Sequence, residues 1–479
     1  MDFIVLHTVA LDELRLKLGP KGYTDDAETM LPWLTDWRGR YTGKAAAMLS
    51  PANTEEVAAI LKIAAAHRLA LVPQGGNSGM VAGATPDSSG RQLILSLRRM
   101  NQMEAVNADD GILRCHAGVI LQNLHEAVAR QGRRFPLTLG GKGSATVGGL
   151  ISTNAGGTQV LRHGTMRQLV LGLEAVLPDG SIYDGMTPLK KDNRGYDLKH
   201  LLIGAEGTIG VITAAMLQTV PALIDRCVVW AGVSSPDAAY RLLLFIQSCA
   251  KERLEGFEIL PQRALNTVLR HIDGTRAPLN AMHPWHVLIE LVQDDVLQPT
   301  PADLVTDLLA RAIEAGLVED AVLSASEAQA EAFWKIRDSI AEAERAEGPA
   351  LQHDLSVPVS DMARFIEQES AVIEAAYKDV KTVAFGHLGD GNIHFHVKAP
   401  AGITTSDWYA GDGKAITSHI YNRVHAYGGS LSAEHGIGQA KIAEFARLAD
   451  PARLAALRNI KNAFDPHGIM NPGKLVPLA

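Results

Sequence analysis

Residues 73–86 read PQGGNSGMVAGATP. They follow the apolar run Leu69–Val72, which predicts a short buried strand ended by Pro73. Glycine lets backbone N–H groups approach a phosphate to van der Waals range and tolerates the positive φ angles such a loop needs. In the usual dinucleotide loop, a glycine-rich turn leads straight into a helix. Here Ala84-Thr85-Pro86-Asp87 comes next, a poor helix opening, which argues against a single-loop nicotinamide site. Two more clusters lie in the first half of the chain: GGKGSATVGGLISTNAGG at 140–157 and LLIGAEGTIGVIT at 201–213. One cluster would read as a tight turn. Three in one domain predict a long cofactor laid across several loops.

Outward from this stretch, strands and helices alternate. Ala47–Leu49 is a short apolar run. Asn53 and Thr54 mark a helix start, Glu55 and Glu56 fill its first turn, and Val57, Ile60, Leu61 and Ala64 recur at helical spacing. Strands are expected at Leu93–Leu97, Ile112–His116 and Leu171–Leu177, a helix at Gln122–Gln131, and a turn at Pro178-Asp179-Gly180. From about residue 222 the glycine clusters thin out. Helices Pro236–Cys249, Ala302–Ala315 and Glu327–Glu347 mix with strands Cys227–Val233 and His286–Val292, the pattern of a second α+β domain. The tail, FDPHGIMNPGKL, is turn-rich.

Composition narrows the classes. The chain has 479 residues, 47% of them hydrophobic, so two or three domains with substantial cores are expected. The net charge of -8 gives no electrostatic reason to bind nucleic acid or an anionic membrane. The three cysteines, Cys115, Cys227 and Cys249, are far apart and lack CxxC spacing, which speaks against a disulfide framework and for a reducing compartment. At the N-terminus Asp2 stands where a signal peptide wants positive charge, and Phe3–Leu6 is too short an apolar run; a short amphipathic helix fits better. No run approaches the roughly 18 apolar residues of a membrane span. A cytoplasmic protein is expected.

A second constellation carries chemistry. Residues 385–397 read FGHLGDGNIHFHV and 432–438 read SAEHGIG. His387, His394, His396, Glu434 and His435 thus stand beside flexible glycines. Imidazole and carboxylate suit a divalent ion such as zinc or manganese. His394 and His396 share one face if they lie on a strand. Asp390-Gly391-Asn392 is a turn signal that folds His387 back towards His394.

These motifs resemble the FAD-binding oxidoreductases of the vanillyl-alcohol oxidase type. KDNRGYDLKHLLIGAEGTIG, HLGDGNxH and AEHG are especially similar to the D-2-hydroxyglutarate dehydrogenases and their D-lactate dehydrogenase relatives. The resemblance runs from about residue 40 to the C-terminus. It implies that Pro73, Gly75, Gly76, Asn77, Ser78 and Gly79 wrap the FAD pyrophosphate. Gly143, Ser144, Gly149, Thr153, Asn154 and Gly156 would line the flavin and ribityl chain; Glu206, Gly207 and Ile212 would complete the adenine and ribose side; Asn471 would return to the flavin with the tail. With no His or Cys in 73–86, the FAD is expected to be non-covalent. His387, His394 and Glu434 become metal ligands and His435 the catalytic base. Arg337, in FWKIRDSIAEA, is a solvated helix charge on the helix alone; the resemblance makes it the substrate carboxylate's partner.

Three positions depart from the hydroxyglutarate pattern. Ala341 replaces a hydroxyl, Gln352 a lysine, and His396 an asparagine. The first two changes remove partners for a second substrate carboxylate.

The expected architecture is α+β: a two-subdomain FAD domain over 1–222, a substrate-binding cap over 223–427, and a segment 428–479 that completes an active site between domains. The expected activity is metal-assisted oxidation of a D-2-hydroxyacid, hydroxyglutarate-like, to the 2-oxoacid. A D-lactate or other monocarboxylic substrate is the near alternative. A metal-dependent hydrolase with a nucleotide site and a non-catalytic flavoprotein subunit are the alternatives of other classes. A flavoprotein, a cytochrome, a quinone and oxygen all stand open as electron acceptor. The resemblance implies a homodimer.

Overall fold

The computed structural model describes residues 3–107, 109–189 and 191–477. The chain forms two compact units. The first takes in residues up to 157, 163–221 and 434 onward; the second takes in 158–162 and 222–433. The sequence boundaries at 222/223 and 427/428 therefore stand against observed ones at 221/222 and 433/434.

In the first unit, one sheet has the order Tyr23–Thr24, Ala45–Leu49, Gln92–Ser96, Leu71–Gln74, its last three strands parallel. The helix Thr54–His67 makes the crossover. Asn53 caps it by accepting from Glu56 N, and Val57, Ile60, Leu61 and Ala64 form its buried stripe. The strand after the crossover continues through Pro73 to Gln74 rather than stopping before it. It is the sheet's edge, where a missing N–H removes no ladder bond. A second, antiparallel sheet has the order Ile112–His116, Val211–Gln218, Val170–Val176, Ile182–Gly185. Leu61, Leu93, Leu113, Val147, Leu173 and Leu217 belong to one continuous core that joins both sheets.

The tail is locked into this unit by a buried charge. Lys461 Nζ donates to Asp465, to Thr208 O at 2.6 Å and to Met470 O at 2.7 Å. Asp465 in turn accepts from Ile469 N and Met470 N. The turn-rich tail thereby closes onto the third glycine cluster.

The second unit is a seven-stranded antiparallel sheet ordered Asp320–Leu323, Asp225–Val233, Trp285–Gln293, Leu254–Pro261, Lys381–His387, Asn392–Lys398, Ala350–Ser356. Trp230, Leu288, Val383 and Phe385 line one face, packed against Phe333, Ile336, Ile340 and Ala343 of the helices Glu327–Asp338 and Ile340–Ala346. These are two helices, not the single one expected over Glu327–Glu347. Ser339 closes the first with its N–H and begins the second.

His286 sits inside this unit, 1% exposed, between Trp230 Nε1 at 3.0 Å and Gln262 Oε1 at 2.8 Å. Burial, aided by nearby His283, lowers its pKa to about 4. The unfolded chain therefore takes up a proton near pH 6.5 that the folded one refuses until about pH 4. Stability is expected to fall by about 3 kcal/mol over that interval as pH drops. In urea titrations His286→Gln should flatten this acid limb relative to wild type; an unchanged limb would remove His286 as its source.

Candidate active site

The three glycine clusters meet in the first unit. Gly75 and Gly76 abut the second cluster so closely that an added Cβ would lie 2.2 Å from Thr146 Oγ1 and 1.7 Å from Ser144 O, respectively. The third cluster ties in through Glu206 N to Ser152 O at 2.8 Å and Gly204 N to Ile151 O at 3.0 Å. A Cβ on Gly207, whose φ is +69°, would press on Pro73 at 3.0 Å. By contrast, a Cβ on Gly79 or Gly140 would meet nothing within 4 Å. Close-packed loops with an open glycine rim fit a dinucleotide whose phosphates need bare backbone N–H groups.

Several side chains in these loops serve the loops themselves. Asn77, at φ +52°, donates through Nδ2 to Thr35 O at 2.8 Å. Thr153 Oγ1 donates to Gly149 O, Asn154 Oδ1 accepts from Thr165 Oγ1 and Arg167 N, and Ile212 is buried in its strand. Ser78, Gly143, Ser144 and Gly156 lie in the first two clusters, beside the packed glycines. Asn471 Nδ2 donates to Gly83 O at 2.9 Å and Glu206 O at 2.8 Å, while its Oδ1 is buried with no partner among the described residues.

Glu206 does something the sequence did not announce. Its buried carboxylate accepts from Ile437 N and Gly438 N, both at 2.8 Å. Burial pushes its pKa up, while those two N–H groups and the nearby Lys441 and Lys474 oppose the rise. It thereby anchors the turn that directly follows Glu434 and His435, which open the last segment of the first unit.

The second unit holds the histidine group. Lys381–His387 and Asn392–Lys398 form a hairpin whose turn uses Gly391 at φ +82° and Asn392 N donating to Asp390 Oδ1. The turn returns His387 to His394, with ring centroids 5.7 Å apart, as Asp390-Gly391-Asn392 suggested. Arg337 is not solvated: its side chain is 11% exposed and its Nε donates to Glu258 Oε2 at 2.7 Å. Glu258 Oε1 is hydrogen-bonded to His387 Nδ1, and Arg337 Nη2 lies 3.3 Å from His387 Nε2. Burial pushes the Glu258 carboxyl up, but Arg337 and His387 outweigh it and hold it down at about 2. A neutral His387 that donates from Nδ1 to Glu258 would keep its lone pair on Nε2, the nitrogen that faces Arg337 Nη2 and that would ligate a metal. Two converging imidazoles with one tautomer so selected fit a divalent ion.

Glu258 was missed from sequence. The available signal was a lone carboxylate in the apolar run GFEIL, which must find a partner if buried.

Comparison with known proteins agrees with this geometry. Residues 224–475 match the model for FAD linked oxidases, C-terminal domain, and residues 45–185 match that for an FAD binding domain. A mitochondrial D-2-hydroxyglutarate dehydrogenase of Arabidopsis thaliana is 36% identical over 461 residues, covering 96% of this chain and 80% of that protein. A D-2-hydroxyglutarate dehydrogenase of Xanthomonas citri pv. viticola is 36% identical over 440 residues, covering 92% and 91%. A substrate-bound structure of p-cresol methylhydroxylase shares the fold with a TM-score of 0.76, 12% identity, and coverage of 98% and 96%. Among the described residues no helix is long and apolar enough to cross a membrane.

The open rim at Gly79 makes a prediction. Gly79→Val adds bulk where the apoprotein has room, so apoprotein melting should stay within about 2 °C of wild type, as for a surface change. FAD retention, read as visible absorbance per protein, should drop severalfold. Full retention would place the cofactor elsewhere.

Proposed function

Because the chain belongs to the FAD-linked oxidase family and is an FAD-dependent oxidoreductase, we propose that it dehydrogenates a D-2-hydroxyacid to the 2-oxoacid. The observation that supports this most is the buried Arg337–Glu258–His387 arrangement, with His394 across the hairpin. It combines a fixed cation for a carboxylate with imidazoles poised beside it. The curated relatives' names point to the same class of substrate. Family membership also removes the hydrolase alternative.

Arg337 holds the substrate's carboxylate; its guanidinium presents five N–H donors in a rigid fork, of which Glu258 engages the Nε side. Glu258 keeps Arg337 and His387 in place and fixes the His387 tautomer. His435 accepts the hydroxyl proton as a neutral imidazole. Glu206 holds the turn after His435, so that base is carried on an anchored loop. The loops from Pro73 to Gly79 would hold non-covalent FAD, which when bound would supply a two-electron acceptor. His387, His394 and Glu434 would hold zinc or manganese, which would supply Lewis acidity.

The first test is an anaerobic visible spectrum with D-2-hydroxyglutarate, D-malate and D-lactate in separate cuvettes. Bleaching of the flavin by a D-acid and not by its L-enantiomer is expected; a flavin that none bleaches would sink the proposal. His435→Ala should slow bleaching about 10²–10⁴-fold. Glu258→Gln keeps the volume but loses the charge, and should weaken metal retention about 10–100-fold with FAD content unchanged. Unchanged metal retention would leave Glu258 a packing residue only.

A further inference from the structure

The turn that returns His387 to His394 is held from several sides. Leu388 N donates to Phe257 O at 3.0 Å. A Cβ on Gly391 would lie 2.2 Å from Val357 O, backbone against backbone. At Gly389 the turn meets a side chain instead. A Cβ there would find Leu161 Cδ2 at 2.8 Å, Cδ1 at 3.0 Å and Cγ at 3.3 Å, and these are its three nearest atoms. The φ of Gly389 lies outside the left-handed region, so its own backbone does not demand glycine. What bars a larger residue is Leu161.

Leu161 comes from a distant part of the chain. Residues 158–162 belong to the second unit, whereas residues up to 157 and from 163 to 221 belong to the first. The segment starts directly after the last glycine of the second cluster. At its head, Thr158 O would be 3.8 Å from a Cβ on Gly256. At its end, Arg162 has a side chain only 11% exposed, which donates through Nη1 to Glu255 Oε2 at 3.1 Å and through Nη2 to Asp294. The Glu255 side chain is 3% exposed and stands on Leu254–Pro261, the strand that also carries Phe257 and Glu258. A planar guanidinium gripped by two carboxylates fixes direction as well as distance. That strand therefore holds the turn directly, through Phe257 O and through Glu258 on His387, and indirectly, through Arg162 and Leu161.

We propose that Thr158–Arg162 is a strap that sets the metal-binding turn. Arg162 fastens it, Leu161 bears on Gly389, and both are positioning residues for His387 and His394. The inference rests on the metal reading above. Ligand nitrogens must meet an ion to within about 0.2 Å, so a turn free to shift loses affinity although no ligand is touched. Removing the Leu161 side chain opens a space beside Gly389 into which the turn can move. Enlarging Gly389 pushes the turn the other way. Both changes together refill the space with a methyl group from the opposite side.

The test measures zinc affinity of the FAD-loaded protein by competition with a chromophoric chelator, with amide hydrogen exchange of residues 388–392 read alongside. Leu161→Ala and Gly389→Ala should each weaken zinc about five- to tenfold, less than the loss of a direct partner of a ligand, and each should speed exchange in the turn. The Leu161→Ala/Gly389→Ala double variant should recover most of both, a non-additivity expected of groups in direct contact. Arg162→Met should act like Leu161→Ala, and Arg162→Lys, which keeps the charge, should recover part of the loss. A general loss of stability would accumulate in the double variant rather than reverse. Zinc affinity unchanged in both single variants, or losses that add, would overturn the strap. A wild type that binds neither zinc nor manganese would overturn the metal reading itself, a result distinct from a metal site indifferent to Leu161.

Discussion

A carboxylate that water barely reaches must be surrounded by donors, and the histidine group of the second unit is organised around the one at Glu258. Isolated on an apolar strand, its charge would cost several kcal/mol in desolvation. Arg337 and His387 offset that, and in doing so they fix their own positions. The helix Glu327–Asp338 is tied to the sheet through Arg337, and the hairpin through His387. Nearby, Glu290 repeats the arrangement with Arg226 and Trp334 Nε1. Polar groups satisfied in this way are rigid, and rigidity is what a site requires if it is to meet a transition state without reorganising.

The first unit answers a different constraint. Its glycine-rich loops hold their shape by close backbone packing and by a few short polar side chains, Asn77, Thr153 and Asn154 among them. Close glycine packing does this at Gly75 and Gly76, where no larger residue fits. Further ties cross the unit: Glu206 holds the turn after His435, Asn471 bridges two loop carbonyls, and Lys461 closes the tail onto Thr208. The segment that carries His435 and the glycine-rich loops are therefore tied by buried hydrogen bonds.

A fold shared with p-cresol methylhydroxylase at low identity shows that this frame does not dictate one reaction. Chemistry is chosen by the groups added to it. In this chain the groups we propose for that part are Arg337, held by Glu258, and the imidazoles of the hairpin, which suit a carboxylate beside a carbinol.

The sequence by itself determined whatever depends on local backbone chemistry. Three glycine clusters in order announced a cofactor across loops. Asn53 and Glu55 marked a helix start, and Asp390-Gly391-Asn392 marked the turn that returns His387 to His394, because each works through residues within a few positions of it. Only the tertiary structure decided which charges are buried and with whom. Arg337 looked like a solvated helix residue until Glu258, 79 residues away in the chain, was seen to take its Nε. Glu206 stands in a glycine-rich loop, and only the fold shows that its carboxylate holds a turn 231 residues further on. Glu344, buried against His396, carried no signal at all on a helix rich in acidic residues. The reason is physical: a propensity acts along the chain, whereas the partner of a buried charge is whatever group the packed sheet and helices bring within hydrogen-bonding distance.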